Sequence, residues 1–161
     1  MKKRLWAAGC AVGVLSLVGD TPPLSQPIPF SHKAHVALGV KCADCHPIKA
    51  PGFAAGLPKE DTCMACHIAM KTESPGVQKL AGFHKSKKSV PWVKVYRLPD
   101  YVWFSHEVHH KEARVSCDTC HGPVAEREVI VKERPITMAA CMDCHKEYQA
   151  SNACDFCHDP R

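Results

Sequence analysis

Beyond residue 20 the sequence offers little from which to build an ordinary domain. It has few long apolar stretches with a helical or strand period, and the chain as a whole carries 13 Pro and 9 Gly. That pattern argues against long helices and extended sheet, leaving short helices joined by loops. Aromatic residues are only 7% of the chain, and Trp92, Tyr96 and Trp103 fall in one short segment. Confined to that one segment, they do not make the basic residues a nucleic-acid footprint. After Cys10 no cysteine stands outside one repeated frame. The best strand is WVKVY, Trp92 to Tyr96, closed by Leu98-Pro99-Asp100.

What the chain does have is that frame, five times: Cys42-Cys45-His46, Cys63-Cys66-His67, Cys117-Cys120-His121, Cys141-Cys144-His145 and Cys154-Cys157-His158. Chance would supply about 0.05 such frames at these Cys and His frequencies, so C-x-x-C-H reads as c-type haem attachment. Zinc ribbons and disulfide scaffolds also pair cysteines, yet neither requires histidine at the next position every time. Two thiols three residues apart each form a thioether to one haem vinyl group, and the adjoining imidazole becomes the proximal iron ligand. Five frames imply five haem c groups. About 140 residues cannot enclose five such rings in polypeptide, so the haems are expected to be the core.

The first residues, MKKR followed by LWAAGCAVGVLSLVG, have the basic start and short apolar run of a secretory signal, and residues 1–19 are read as a signal peptide or N-terminal anchor. Cys10, the odd cysteine, lies within it. Export suits the cofactor, because bacterial haem attachment is completed outside the cytoplasmic membrane; a periplasmic location is expected. The formal charge of +5 falls to +2 without Lys2, Lys3 and Arg4. Ten propionates against five ferric porphyrin charges then bring the oxidised holoprotein to about −3. Lys85, Lys87, Lys88, Arg97, Lys111 and Arg114 are therefore propionate neutralisers or solvated faces, and no nucleic-acid partner is implied.

The chain repeats itself. Phe30, His32 and His35 precede Cys42-Cys45-His46, with CMACH following at 63 to 67; Phe104, His106 and His109 precede Cys117-Cys120-His121, with CMDCH following at 141 to 145. Residues 20–95 form a first unit of two haems and residues 96–161 a second unit of three, the last on CDFCH. Six histidines lie outside the frames: His32, His35, His84, His106, His109 and His110. Five distal positions need ligands.

The F-x-H-x-x-H segment ahead of a frame resembles the class III multihaem cytochromes c. QPIPFSHKAH, PWVKVYRLPDYVWFSHEVHH and PITMAACMDCH are, more specifically, similar to the pentahaem subunit of bacterial alternative complex III, a menaquinol-oxidising membrane complex. The resemblance implies that His32 and His106 cap the haems on His46 and His121, and that His35 and His109 cap those on His67 and His145. For the haem on His158 the candidates are Met138, His84 and His110. In triheme relatives the last haem is capped from just ahead of the preceding frame, and that neighbourhood here holds Met138.

Iron with two protein ligands has no open position for substrate, so a bis-ligated multihaem chain relays electrons. The expected function is a relay from a quinol-oxidising membrane complex, or from other cytochromes, toward a periplasmic acceptor, with membrane association through the partner or an N-terminal anchor. The alternatives are a free periplasmic carrier and a multihaem reductase of nitrite or a similar oxyanion. No frame is altered, as in CxxCK, to suit a reductase. Intact-protein mass spectrometry should find five haem additions per chain, and three or fewer at full maturation would overturn the five-haem reading.

Overall fold

The computed structural model describes residues 24–158; the leader segment 1–19 lies outside them. Among the described residues the chain is mostly irregular, with short helices and no sheet. Seven α-helices run in order: α1 His32–Val36, α2 Cys42–Cys45, α3 Glu60–His67, α4 Pro75–Lys85, α5 Cys117–His121, α6 Met138–Glu147 and α7 Cys154–Cys157. A π-helical turn, Glu107–Glu112, precedes α5, and a 3-10 turn, Val124–Glu126, follows it.

Each attachment frame makes or ends one of these helices, as a three-residue cysteine spacing requires. Local signals start them. The Ser31 hydroxyl accepts from the Ala34 N–H at 3.0 Å to cap α1, and the Thr137 hydroxyl accepts from Ala140 at 3.2 Å to cap α6. Asp44 reaches back to the Lys41 N–H at 2.8 Å, closing the first turn of α2. Pro75 opens α4, where its missing N–H costs nothing.

The two histidine segments differ by one residue, and the difference shapes the backbone. In the first, Val40 N–H donates to the His35 carbonyl; in the second, Val115 N–H donates to His109 across one residue more. A π-helical turn absorbs a single inserted residue in this way. The extra ring, His110, folds back and donates through Nδ1 to the Val115 carbonyl at 2.9 Å.

The segment Trp92–Tyr96 is not a strand. Both backbone groups of Val93 are met by one side chain: Gln26 Nε2 donates to the Val93 carbonyl at 2.8 Å, and the Val93 N–H donates to Gln26 Oε1 at 3.0 Å. Satisfied by an amide that mimics a peptide group, this β-rich sequence needs no partner strand. Trp92 Nε1 donates to Pro58 at 3.2 Å, and Tyr96 Oη donates toward the His121 carbonyl at 3.4 Å. The segment thus ties the two repeats together.

The polypeptide core is small. Among the described residues only Ile28, Leu80 and Val90 are buried apolar side chains, flanked by Cys63, Met64, Phe83 and Trp92 where α3 packs on α4. Large apolar side chains lie exposed along the rest, including Leu38, Ile68, Trp103, Met138 and Phe156. This distribution matches a fold whose apolar surface is meant for flat, apolar rings.

Residues 52–56 form the loop that joins the repeats. Gly52 sits at φ +82°, and its carbonyl accepts the Glu107 N–H at 3.1 Å. A Cβ at Gly52 would collide with the Glu107 side chain, whereas one at Gly39, φ +86°, would meet nothing within 4 Å. Gly39→Ala should cost about 1 kcal/mol from backbone conformation alone, and Gly52→Ala about 2 kcal/mol or more, because the clash adds to it. Denaturant midpoints of the two variants check the order.

Candidate functional site

The histidines of each F-x-H-x-x-H segment are oriented first by their own phenylalanine. Phe30 stacks on His35 (ring centroids 4.3 Å apart, 22° between planes) and meets His32 edge-on (4.8 Å, 85°). Phe104 does the same to His109 (4.4 Å, 27°) and His106 (4.8 Å, 90°). One aromatic wedge therefore fixes two imidazoles nearly at right angles in each repeat. The repetition of Phe in both segments was the signal for this role, which spacing alone did not reveal.

Four of these rings face a frame histidine. His32 and His46 lie 6.3 Å apart with planes 9° from parallel, and His106 and His121 lie 6.5 Å apart at the same angle. His35 stands 6.1 Å from His67 at 60°, and His109 stands 6.0 Å from His145 at 26°. Two imidazoles on opposite sides of one metal, each bonded at about 2 Å through a nitrogen about 1.2 Å from its ring centroid, have centroids about 6.3 Å apart. The observed separations fit an iron between each pair of rings. They are too wide for rings in direct van der Waals stacking.

The outer nitrogens complete the fit. Nδ1 donates to a backbone carbonyl in eight histidines: His35 to Ser31, His46 to Gly56, His67 to Met70, His106 to Phe53, His109 to Ser105, His110 to Val115, His145 to Ser151 and His158 to Tyr101, at 2.7 to 3.2 Å. A ring whose Nδ1–H is spent on a carbonyl keeps Nε2 as a lone pair for metal. Carbonyls belong to every residue, so no sequence signal could have picked Gly56, Met70, Phe53, Ser151 or Tyr101.

Electrostatics favour the same forms. Burial, then the nearby His46 and His35 rings, lower the His32 pKa to about 4, and its buried Nδ1 has no hydrogen-bond partner. Burial, followed by His106 and His46, lowers that of His121. Both rings stay neutral, as ligands must. Burial is also the main force raising the thiols of Cys45, Cys63, Cys117, Cys120 and Cys141, each with a contribution from neighbouring cysteines or carboxylates. All ten frame cysteines are free thiols, so no disulfide competes for them.

The fifth frame lacks such a partner ring. Among the described residues the aromatic ring beside His158 is that of Tyr101, centroids 6.0 Å apart and 28° between planes, and the frame is held by the Trp103 N–H donating to the Cys157 carbonyl at 2.8 Å. His84, on α4, has Nδ1 2.9 Å from Asp61 Oδ1, in an ion-pair approach off the hydrogen-bond direction, beside α3. Met138 begins α6 on the face that carries Cys141, and its side chain is largely exposed.

Comparison with known proteins agrees with this geometry. Residues 16–96 match the model of the class III cytochrome C family, and residues 102–159 match that of cytochrome c7 and related cytochrome c. The chain belongs to the class III cytochrome c family. It is a multihaem cytochrome c, a family whose haem is covalently bound, and its chemistry is electron transfer. Among curated proteins, this class III chain is 32% identical to the menaquinone reductase, multiheme cytochrome c subunit, of Nitratidesulfovibrio vulgaris (strain Hildenborough), over 83% of this chain and 76% of the relative.

His35→Ala should remove one ring from the pair at His67 while leaving the pair at His46 intact. Electron paramagnetic resonance of the oxidised holoprotein should lose about one-fifth of its low-spin intensity. Unchanged low-spin signals and potentials would show that His35 is not a ligand.

Proposed function

We propose that the chain carries five haems, one on each frame, in two repeated units spanning residues 20–95 and 96–161, and exchanges electrons in the periplasm with a membrane complex that reacts with quinone. The observation that carries this reading is the set of four histidine pairs at the separation of two imidazoles on one metal. When bound, haem supplies reversible one-electron iron chemistry. The protein's part is to fill both axial positions, so that no small substrate reaches the metal. His32, His35, His106 and His109 act as the distal partners of His46, His67, His121 and His145.

Met138 is the distal partner of His158. Support comes from its helix: Met138 and Cys141 share one face of α6, and α6 is tied to the approach to the fifth frame by Asn152 Nδ2 donating to the Met142 carbonyl. His84 is held against Asp61 at α3 and serves the second frame's surroundings instead. His110 also has Nδ1 on a carbonyl, that of Val115, but its neighbour His109 already fills the second position of the F-x-H-x-x-H spacing. A thioether is a weaker donor than imidazole, so this haem takes the highest potential of the five.

The name of the Nitratidesulfovibrio relative, menaquinone reductase, favours electron flow from a periplasmic donor toward quinone, the reverse of the direction expected from the sequence. A relay with filled ligand positions has no intrinsic direction. The potentials of its two partners set it.

Carbon monoxide should bind the reduced protein little, since no axial position is open; stoichiometric binding at several haems would favour the reductase alternative. The ferric protein should show the long-wavelength thioether absorption band of His-Met ligation, lost in Met138→Ala and kept in His84→Ala. Absence of the band in the wild type would mean that the position is held by a histidine, His84 or His110, and all five haems are bis-histidine. Co-purification from solubilised membranes with a quinone-reactive assembly is the expected partner result, and a free soluble cytochrome would support the periplasmic carrier instead.

A further inference from the structure

We propose that the five haem sites form one unbranched row in the order second, first, third, fourth, fifth, so that the second site (Cys63, Cys66, His67) and the fifth (Cys154, Cys157, His158) are its ends. The inference rests on the five-haem reading, and it departs from the order of the frames in the sequence.

Each link in the row is a short piece of polypeptide that touches two sites. The first and second are joined by α1, whose five residues present His32 to His46 and His35 to His67. Loop 52–56 joins the first and third: the Gly56 carbonyl holds His46 Nδ1 at 2.7 Å, and the Phe53 carbonyl holds His106 Nδ1 at 3.0 Å, with His106 facing His121. The second site takes no part in that junction. Its neighbours in the fold are α4 and the small apolar core.

The third and fourth sites share the π-helical turn and its cap, which turn His106 to His121 and His109 to His145. Between the fourth and fifth the chain folds tightly: His145 Nδ1 donates to the Ser151 carbonyl at 2.7 Å and Asn152 Nδ2 to that of Met142 at 3.1 Å, just ahead of α7.

A branched rival does exist, because segment 101–106 runs from the fifth frame, through the Trp103 to Cys157 hydrogen bond, to His106 at the third site. The His145 to Ser151 and Asn152 to Met142 bonds hold the fifth frame's own approach against the fourth site, whereas the third is reached only along the whole of segment 101–106.

The consequence is a division of labour. The first and third sites bridge the repeats and lie inside the row, while exchange with partners falls to the second and fifth. These ends have different surroundings: exposed Lys79, Lys85, Lys87 and Lys88 on and after α4 at one, and exposed Tyr101, Trp103 and Phe156 at the other.

The test is an NMR-followed redox titration of the holoprotein, with five haems first established by intact mass, resolving the pairwise interaction between haem potentials. Coulombic coupling falls with distance, so first–third should exceed second–third by about twofold or more, and fourth–fifth should exceed third–fifth likewise. A second–third interaction larger than first–third, or a third–fifth interaction larger than fourth–fifth, would overturn the order while leaving the five-haem relay intact. Removing the first haem with Cys42→Ser and Cys45→Ser should leave the second nearly uncoupled from the rest, with the third, fourth and fifth coupled as before. Persistent coupling of the second to the third would again refute the row. If that variant fails to fold, His32→Met keeps the haem attached and raises its potential. The second and third haems should then respond most, and an equal response from the fourth or fifth would count against the order.

Discussion

Pairs of imidazole rings held about 6 Å apart by carbonyls on their outer nitrogens are the constraint from which the rest of this structure follows. Six of the eight paired rings, all but His32 and His121, spend Nδ1 on a carbonyl and so keep Nε2 for a metal, and a short helix or tight loop is the cheapest source of a carbonyl at the right place. Ser31 and Ser105, one turn ahead of His35 and His109, provide it within the helical turn itself. Gly56 and Phe53 provide it from a loop that serves both repeats at once. The irregular backbone is therefore a consequence of ligand orientation, since each carbonyl given to a histidine is one that a longer helix or a sheet would have used.

The small apolar cluster of Ile28, Leu80 and Val90 has a related cause. A domain of this length normally gains most of its stability by burying its own side chains. Here the large apolar residues lie along surfaces beside the frames, where a covalently attached ring can cover them. Only α3 and α4 pack in the usual way, and they do so beside the second site, at one end of the proposed row. Folding and haem attachment are thereby coupled, much as metal binding is coupled to folding in small metal domains.

The junction between the repeats rests on polar contacts. Lys33 N–H donates to the Arg127 carbonyl at 3.1 Å, seating α1 on the 3-10 turn, while the partly exposed Arg127 guanidinium is forked onto Glu133. That carboxylate raises the Arg127 pKa and is itself lowered by it, although water reaching this partly exposed pair screens it. Tyr96 Oη accepts the Glu133 N–H at 3.1 Å and lies against His121, ring centroids 4.6 Å apart. The Lys33 to Arg127 bond crosses between the repeats, and the contacts around Glu133 hold the second repeat's side of that junction in place.

The sequence by itself determined the attachment chemistry, because thioether spacing and the adjoining ligand are local covalent matters written within five residues. It also determined the absence of sheet in general terms and the doubling of the F-x-H-x-x-H segment, both of which are questions of composition and repetition. It misjudged Trp92–Tyr96 as the best strand, since nothing local announces that Gln26, far away in the chain, meets both backbone groups of Val93. The pairing of each ring with its frame was what the resemblance implied, and the same ring pairs stand together in the structure. Which carbonyl holds each Nδ1, and the neighbour relations from which the order of sites is proposed, were decided only in the tertiary structure. The physical reason is common to both: each depends on where the backbone of one segment passes another, and a carbonyl offers that contact whatever side chain it carries.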